Sequence, residues 1–176
     1  MAYNNLAQKY SRPSLIIWSE DEPLLGAAGT SRDGKWDLGP NYLYISDNNR
    51  SELAVSFERI EYKQRMINGT MRSYHVADKK NFSTSWDRLP SRKTQVTEYS
   101  ASSDFAGGQE MLKWYEDHTG DFWMLLVYDV DSTVSTANIK KNVEKVNVFF
   151  ESFSYNVVER GSNLDLWNID LSLVEV

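Results

Sequence analysis

Residues 57–74 read FERIEYKQRMINGTMRSY, and this stretch decides the fold. Apolar Ile60, Tyr62 and Met66 lie on one face of the predicted strand 57–67. The charged residues on its other face are Arg59, Glu61, Lys63 and Arg65. A period of two with a charged outer face is typical of a half-buried antiparallel strand. Asn68-Gly69 follows at once and predicts a hairpin with a type I′ turn.

Strand signals continue on both sides of this hairpin. The sequence predicts strands at 14–18, 42–46, 71–77, 81–88, 94–100, 122–130, 143–158 and 165–176. The stretch 122–130 is apolar on both faces, which predicts a central strand that is covered on each side.

The last two strands each carry an alternating pattern. In strand 143–158 the pattern places Val146, Val148 and Phe150 on one face, and Phe149, Phe153 and Tyr155 on the other. In strand 165–176 it turns Trp167, Ile169, Leu171 and Leu173 toward the core, and Asn168, Asp170 and Ser172 away from it.

One helix is predicted near residues 105–118. Its N-cap candidates are Ser102, Ser103 and Asp104, and its apolar stripe consists of Met111, Leu112 and Tyr115. Thr119-Gly120 ends it. Seven to nine strands with one helix predict a mostly-β fold, an antiparallel β-sandwich or partly open barrel with the helix packed against one side.

The chain divides into an irregular N-terminal arm, residues 1–40, and a β domain, residues 41–176. Proline and glycine punctuate the arm, which also holds isolated aromatic residues such as Trp18 and Trp36. Aromatic residues predict that the arm docks on an apolar surface, either its own core or a neighbouring subunit.

The net charge of −6 is unevenly distributed. Residues 56–93 hold nine basic and four acidic residues, which leaves +5 there and −11 in the rest. Either the basic side chains are solvated on strand faces, or this segment meets an acidic surface of another copy. The acidic balance and the lack of a known binding module argue against nucleic-acid readout.

The sequence offers little for chemistry. It has no cysteine and two histidines, His75 and His118, for which structural roles are expected. Gly107-Gly108 is a weak phosphate signal, and Asp121, Asp129 and Asp131 lack the pattern of a calcium loop. We therefore expect no catalytic residue, no metal and no cofactor, and a protein that is not an enzyme.

Six tryptophans raise a second class of function, a carbohydrate-binding β-sandwich used in host receptor recognition. Sugars stack on exposed aromatic faces, so the solvent exposure of Trp36, Trp86 and Trp167 distinguishes this hypothesis from the others. No apolar run is long enough to span a bilayer, and we expect a soluble protein made in a cytoplasm.

Two stretches carry a resemblance: the hairpin 65–74, which continues to 80–90, and the ending 165–176. Together with the helix and the apolar strand between them, their order resembles that of the tail proteins of long-tailed bacteriophages. The resemblance covers residues 42–176. The family includes tail-tube subunits and the ring-forming minor or distal tail proteins of the tail and baseplate, and the N-terminal arm favours the second kind.

The resemblance implies a structural protein of the virion tail, assembled in the host cytoplasm. It implies a ring, most simply a homohexamer, around a channel that genome DNA crosses without sequence-specific binding. Its partners would be further copies of itself and other tail proteins, with no membrane. The candidate interface residues are Arg59, Lys63, Arg65, Asn68, Gly69, Arg72, Trp18 and Trp36.

Overall fold

A computed structural model describes residues 15–26, 36–45, 49–92, 105–128, 143–161 and 165–176. The described residues form ten strands and one helix. The strands are β1 Leu15–Ser19, β2 Leu24–Leu25, β3 Trp36–Asp37, β4 Tyr42–Ile45, β5 Ala54–Arg65, β6 Met71–Pro90, β7 Phe105–Ala106, β8 Phe122–Val127, β9 Val143–Arg160 and β10 Asp165–Glu175, and helix α1 is Gly108–Asp117. The strand predicted at 94–100 and the cap candidates at 102–104 lie outside the described residues.

Eight strands form one sheet in the order β5-β6-β10-β9-β8-β1-β4-β7, and β2 pairs with β3 separately. Neighbours are antiparallel except β4 and β7, which are parallel. The chain leaving β4 returns to β6, where the Ser51 N–H donates to the Ser85 carbonyl at 2.8 Å and the Asp87 N–H donates to the Asn49 carbonyl at 3.1 Å. The sheet thus rolls back toward itself, and the predicted fold class is confirmed.

The core lies inside this rolled sheet, under helix α1. Trp18 of β1 is 1% exposed, and its ring centroid lies 6.3 Å from that of Trp114 and 5.7 Å from that of Phe122. Strand β1 runs between β8 and β4, so residues 15–19 form part of the sheet interior. This part of the N-terminal arm therefore docks on the core of its own chain and not on a neighbouring subunit.

Helix α1 sits where the sequence predicts it, and Gly107 is its N-cap. The Glu110 carboxylate accepts a hydrogen bond from the Gly107 N–H at 3.0 Å. Met111 and Trp114 are buried against the sheet. At the other end His118 caps the helix. Its ring stacks on Trp114 with centroids 3.9 Å apart, and its backbone N–H donates to the Trp114 carbonyl at 3.0 Å.

Two predictions about strands were wrong. The segments 71–77 and 81–88 are one continuous strand, β6, because the polar residues 78–80 stay in the ladder opposite β5 instead of turning. On β9, Glu151 is an extra residue in the register, since Ser172 pairs with Ser152 while Leu173 pairs with Phe150. This bulge moves Phe153 and Tyr155 onto the core face of Phe150, where Tyr155 stacks on Trp167 at 4.7 Å.

The alternation of the last strand is confirmed. The inward residues of β10 are all buried, namely Trp167, Ile169, Leu171 and Leu173. The central strand β8 is also confirmed, with Phe122, Met124, Leu125 and Leu126 buried between β1 and β9. The described helix has ten residues, and no helix in this part of the chain has the length and apolarity of a membrane span.

Candidate self-association surface

The distal parts of β5 and β6 extend beyond the rest of the sheet. Strand β6 pairs with β10 only from Asn81 to Pro90, whereas it pairs with β5 over nearly the whole length of β5. Residues 58–79, which we term the projecting hairpin, are therefore a two-stranded ribbon without a third described strand. At about 3.4 Å per residue its strands reach roughly 25 Å beyond the sheet.

The turn of the projecting hairpin lies at Asn68-Gly69, as predicted, but it is not type I′. The Met66 N–H donates to the Thr70 carbonyl at 2.7 Å, and the Gly69 N–H donates to the Met66 carbonyl at 2.9 Å. Within this turn only Gly69 has a positive φ, +81°, so residues 67–69 form a three-residue loop with glycine in the left-handed position. The Asn68 side chain instead accepts hydrogen bonds from the N–H and hydroxyl of Thr70.

The apolar side of β5 changes partway along the strand. Val55 pairs with Phe82, which is 1% exposed, so the odd-numbered residues of β5 share the face that covers the core. Beyond Phe57 the apolar residues become the even-numbered Ile60 and Tyr62. The register irregularity nearby lies on β6, so β5 alternates without interruption. The apolar face of the projecting hairpin therefore lies on the side of the sheet away from the core.

This outward apolar face is open to solvent. Ile60 is 44% exposed, Tyr62 63%, Tyr74 75% and Val76 72%, and Tyr62 pairs directly with Tyr74 across the two strands. The prediction that strand 57–67 is half-buried, with Ile60, Tyr62 and Met66 on its buried face, was wrong. The alternation is present, but β10 pairs with β6 only from Asn81 to Pro90, so no third described strand flanks this part of the ribbon.

The opposite face carries a network of exposed ions. The Arg59 guanidinium donates to Asp78 at 2.9 Å, and His75 Nε2 lies 3.1 Å from the same carboxylate. Lys63 pairs with Glu61, whose carboxylate also accepts a 2.8 Å hydrogen bond from the Ser73 hydroxyl. The hydrogen bonds from Arg59 and then His75 lower the pKa of Asp78. Those from Lys63 and then Ser73 lower the pKa of Glu61.

The tip of the projecting hairpin combines exposed apolar area with unpaired positive charge. Ile67 is fully exposed. Residues 62–74 contain three basic residues, Lys63, Arg65 and Arg72, and no acidic residue. Arg65 and Arg72 form no ion pair with a described residue. Such a tip is suited to a partner that offers both apolar contacts and carboxylates.

Six of the eight predicted interface residues come together on this hairpin: Arg59, Lys63, Arg65, Asn68, Gly69 and Arg72. The other two lie elsewhere. Trp18 is buried in the core, and Trp36, on β3, packs half-buried against Ile17, Leu38 and Leu125. The sequence reasoning missed Tyr74 and Val76. The signal that could have found them is the change of apolar parity between Phe57 and Ile60.

A long strand edge adds to this surface. Strand β5 is the first strand of the eight-stranded sheet, and it has twelve residues. On its outer side no described strand pairs with it. Exposed strand edges present free N–H and C=O groups that pair readily with another chain. The edge and the apolar face belong to the same element, so one partner could cover both.

Among the described residues no group of three or more histidines, cysteines or carboxylates could hold a metal ion. Asp121, considered above for calcium, accepts a hydrogen bond from Asn147 at 2.7 Å, and Asp129 and Asp131 lie outside the described residues. Gly107-Gly108 serves close packing: a Cβ at Gly107 would lie 2.6 Å from the Arg92 carbonyl carbon. The Gly107 N–H is already bonded to Glu110, so it is not available to a phosphate.

None of the six tryptophans is an exposed residue. Trp86 is 2% and Trp167 7% exposed, and Trp36 is half-buried. The stacking platform that the carbohydrate-binding hypothesis requires is therefore not offered by these residues.

No family model matches the sequence, and no curated protein matches it. Among solved structures, the chain superposes on one from the tail of an empty GTA particle, reconstructed by helical refinement with C6 symmetry. The alignment covers 100% of this chain and 94% of that chain, at 8% sequence identity and a TM-score of 0.45.

Proposed function

We propose that this protein is a structural subunit that assembles with further copies of itself through the projecting hairpin, as a component of a phage-type tail. The observation that carries the proposal is the position of Ile60, Tyr62, Tyr74 and Val76. They form an apolar face that points away from the core of their own subunit, at the end of a two-stranded ribbon.

An uncovered apolar ribbon is unfavourable in a monomer. Burying a large apolar side chain contributes about 1.5–3 kcal/mol, and each interface of a homo-oligomer repeats that gain. The twelve-residue edge of β5 offers backbone hydrogen bonds to the same partner. Together these features support an assembly role, and we propose no catalytic activity for this chain.

The form of the assembly that we propose is a closed ring, most simply a hexamer. The projecting hairpin carries five basic and three acidic residues, while the whole chain has a charge of −6. Two hairpins facing each other would place like charges together, whereas a hairpin on the body of the next copy places opposite charges together. Head-to-tail contacts of that kind generate rings when the rotation closes.

The resemblance of residues 42–176 to phage tail proteins supplies the biological setting of the proposal. In such a tail the ring surrounds a channel for genome DNA and contacts other tail proteins. It forms in the host cytoplasm as part of the virion tail. Residues 15–19 belong to the core, so the arm no longer favours a minor or distal tail protein over a main tube subunit.

The test is a double substitution on the apolar face, Tyr62→Ser with Tyr74→Ser. Sedimentation velocity should show an oligomer for the natural chain and a monomer for the variant, with unchanged thermal unfolding of the monomer because both side chains are exposed. Val158→Ser is the matched control, since Val158 is 43% exposed on β9, outside the hairpin. A natural chain that remains monomeric at high concentration would refute the proposal.

A further inference from the structure

A cleft of about 420 Å³ opens between the C-terminal half of helix α1 and the segments that follow β1 and precede β4. Its lining combines three carboxylates, Glu20, Glu110 and Asp117, with the aromatic residues Tyr42 and Trp114. Lys113 also lines it, and with His118 neutral the lining carries a net charge of −2. The cleft is thus both acidic and partly apolar.

Two side chains of this cleft lack a polar partner in the described chain. Trp114 is 8% exposed, and its indole Nε1 has no acceptor in the described chain. A buried indole N–H ordinarily finds a partner. Asp117 likewise has no ion pair with a described residue. Glu20 uses one carboxylate oxygen to accept a 2.6 Å hydrogen bond from Asn41, which fixes its position at the rim.

The tip of the projecting hairpin has the complementary chemistry. It offers one fully exposed apolar side chain, Ile67, between Arg65 and Arg72, two cations that pair with no carboxylate of the described residues. The cleft has room for a few side chains, which is the size of this tip.

We infer that the tip of the projecting hairpin docks into this cleft on a second copy of the chain. Ile67 enters beside Tyr42 and Trp114, while Arg65 and Arg72 approach Glu20 and Asp117. The contact joins two different surfaces and is heterologous, as a closed ring requires. The inference rests on the proposed function and specifies the surface that receives the hairpin.

Because the chain contains no cysteine, disulfide crosslinking tests this contact directly. Two single variants are mixed and oxidised: Ile67→Cys at the tip, and Lys113→Cys in the cleft. Lys113 is exposed and is not one of the proposed acidic contacts. We expect a crosslinked dimer in the mixture and none in either variant alone. The control mixture replaces Lys113→Cys with Glu151→Cys, an exposed position on β9 outside the cleft.

The outcomes separate this inference from the proposed function. If the oligomer forms but the mixture crosslinks no more than the control, the cleft is wrong and self-assembly stands. If Ile67→Cys crosslinks with itself, hairpins meet each other and the heterologous contact is wrong. If the natural chain never associates, the proposed function fails and this inference fails with it.

A charge exchange provides the second readout. Arg65→Glu with Arg72→Glu should weaken association by about tenfold or more, because it places like charges together at the contact. Combining those changes with Glu20→Lys and Asp117→Lys should recover most of the loss. Recovery that is equally large with Glu151→Lys and Glu159→Lys would overturn the specific pairing.

Discussion

Two neighbouring glycines allow helix α1 to approach the sheet more closely than other residues would permit. A Cβ at Gly107 would lie 2.6–2.8 Å from backbone atoms of Arg92, and one at Gly108 would lie 2.7 Å from the Trp167 ring. The Arg92 atoms belong to the backbone just after β6, and backbone atoms cannot move aside as a flexible side chain can. The two glycines therefore set the distance between the helix and the core.

Replacement of Gly107 by alanine should lower the free energy of unfolding by about 1–3 kcal/mol, the usual effect of forcing extra volume into a packed site. Gly120→Ala is the control, since a Cβ there meets nothing within 4 Å. Urea denaturation of both variants in the Tyr62→Ser, Tyr74→Ser background keeps association out of the comparison. Equal midpoints for the two variants would contradict the packing role.

The ion network of the projecting hairpin should be visible in the titration of Asp78. The pKa of this carboxyl is lowered first by Arg59 and then by His75. A carboxyl whose folded pKa is depressed favours the folded hairpin at pH above its unfolded value, about 4. That contribution disappears as pH falls through the depressed pKa.

Arg59→Gln should therefore raise the NMR titration midpoint of Asp78. The pKa of Glu61, lowered mainly by Lys63 and Ser73, should change much less. The measurement again uses the Tyr62→Ser, Tyr74→Ser background. If Arg59→Gln leaves the Asp78 midpoint unchanged, the Arg59–Asp78 pair is not formed in solution.

At the scale of elements, β10 contributes four buried side chains to the core, and Trp167 is the largest of them. It is 7% exposed, stacks on Tyr155 of β9 and would touch any side chain added at Gly108. Trp167→Ala should reduce the free energy of unfolding by roughly 3–5 kcal/mol, as for other buried aromatic residues. In the Tyr62→Ser, Tyr74→Ser background, which removes association, the control Val158→Ala at an exposed position on β9 should change it by less than about 0.5 kcal/mol in urea denaturation. Comparable losses for both would contradict the assigned burial.

Elements defined by local pattern were predictable from the sequence. The alternation of residues 167–173 and the Asn68-Gly69 turn depend on neighbours in the chain, and both are found as predicted in position. The unbroken course of β6 and the Glu151 bulge were not predictable, because each is imposed by pairing with β5 or β10. The alternation of apolar residues along a strand does not show which other strands pair with it.

The self-association surface was likewise only partly predictable from the sequence. The alternation at Ile60 and Tyr62 indicates an apolar face, but the pattern does not show whether the same chain or another chain covers that face. That depends on strand pairing, because β10 pairs with β6 only from Asn81 to Pro90 and leaves the projecting hairpin without a third described strand. The basic residues of the hairpin were found from the sequence because they cluster in the chain, whereas the cleft lining comes from separate segments.

At the scale of the whole molecule, an apolar and basic hairpin projects from an acidic body. A monomer would leave the apolar face and a twelve-residue strand edge in water. A closed ring covers them in every subunit and stops growth, whereas an open chain would leave one hairpin uncovered and continue to add subunits. Screening of the charges should weaken either form as salt is added.

Sedimentation velocity of the natural chain over a dilution series is the sharpest test of a ring that is closed by the projecting hairpin. We expect one discrete oligomer, six times the 20.3 kDa subunit, that does not grow with concentration and dissociates on added salt. The Tyr62→Ser, Tyr74→Ser variant should remain at the mass of one subunit. A natural chain that stays monomeric throughout, or a variant that assembles like the natural chain, would contradict the claim.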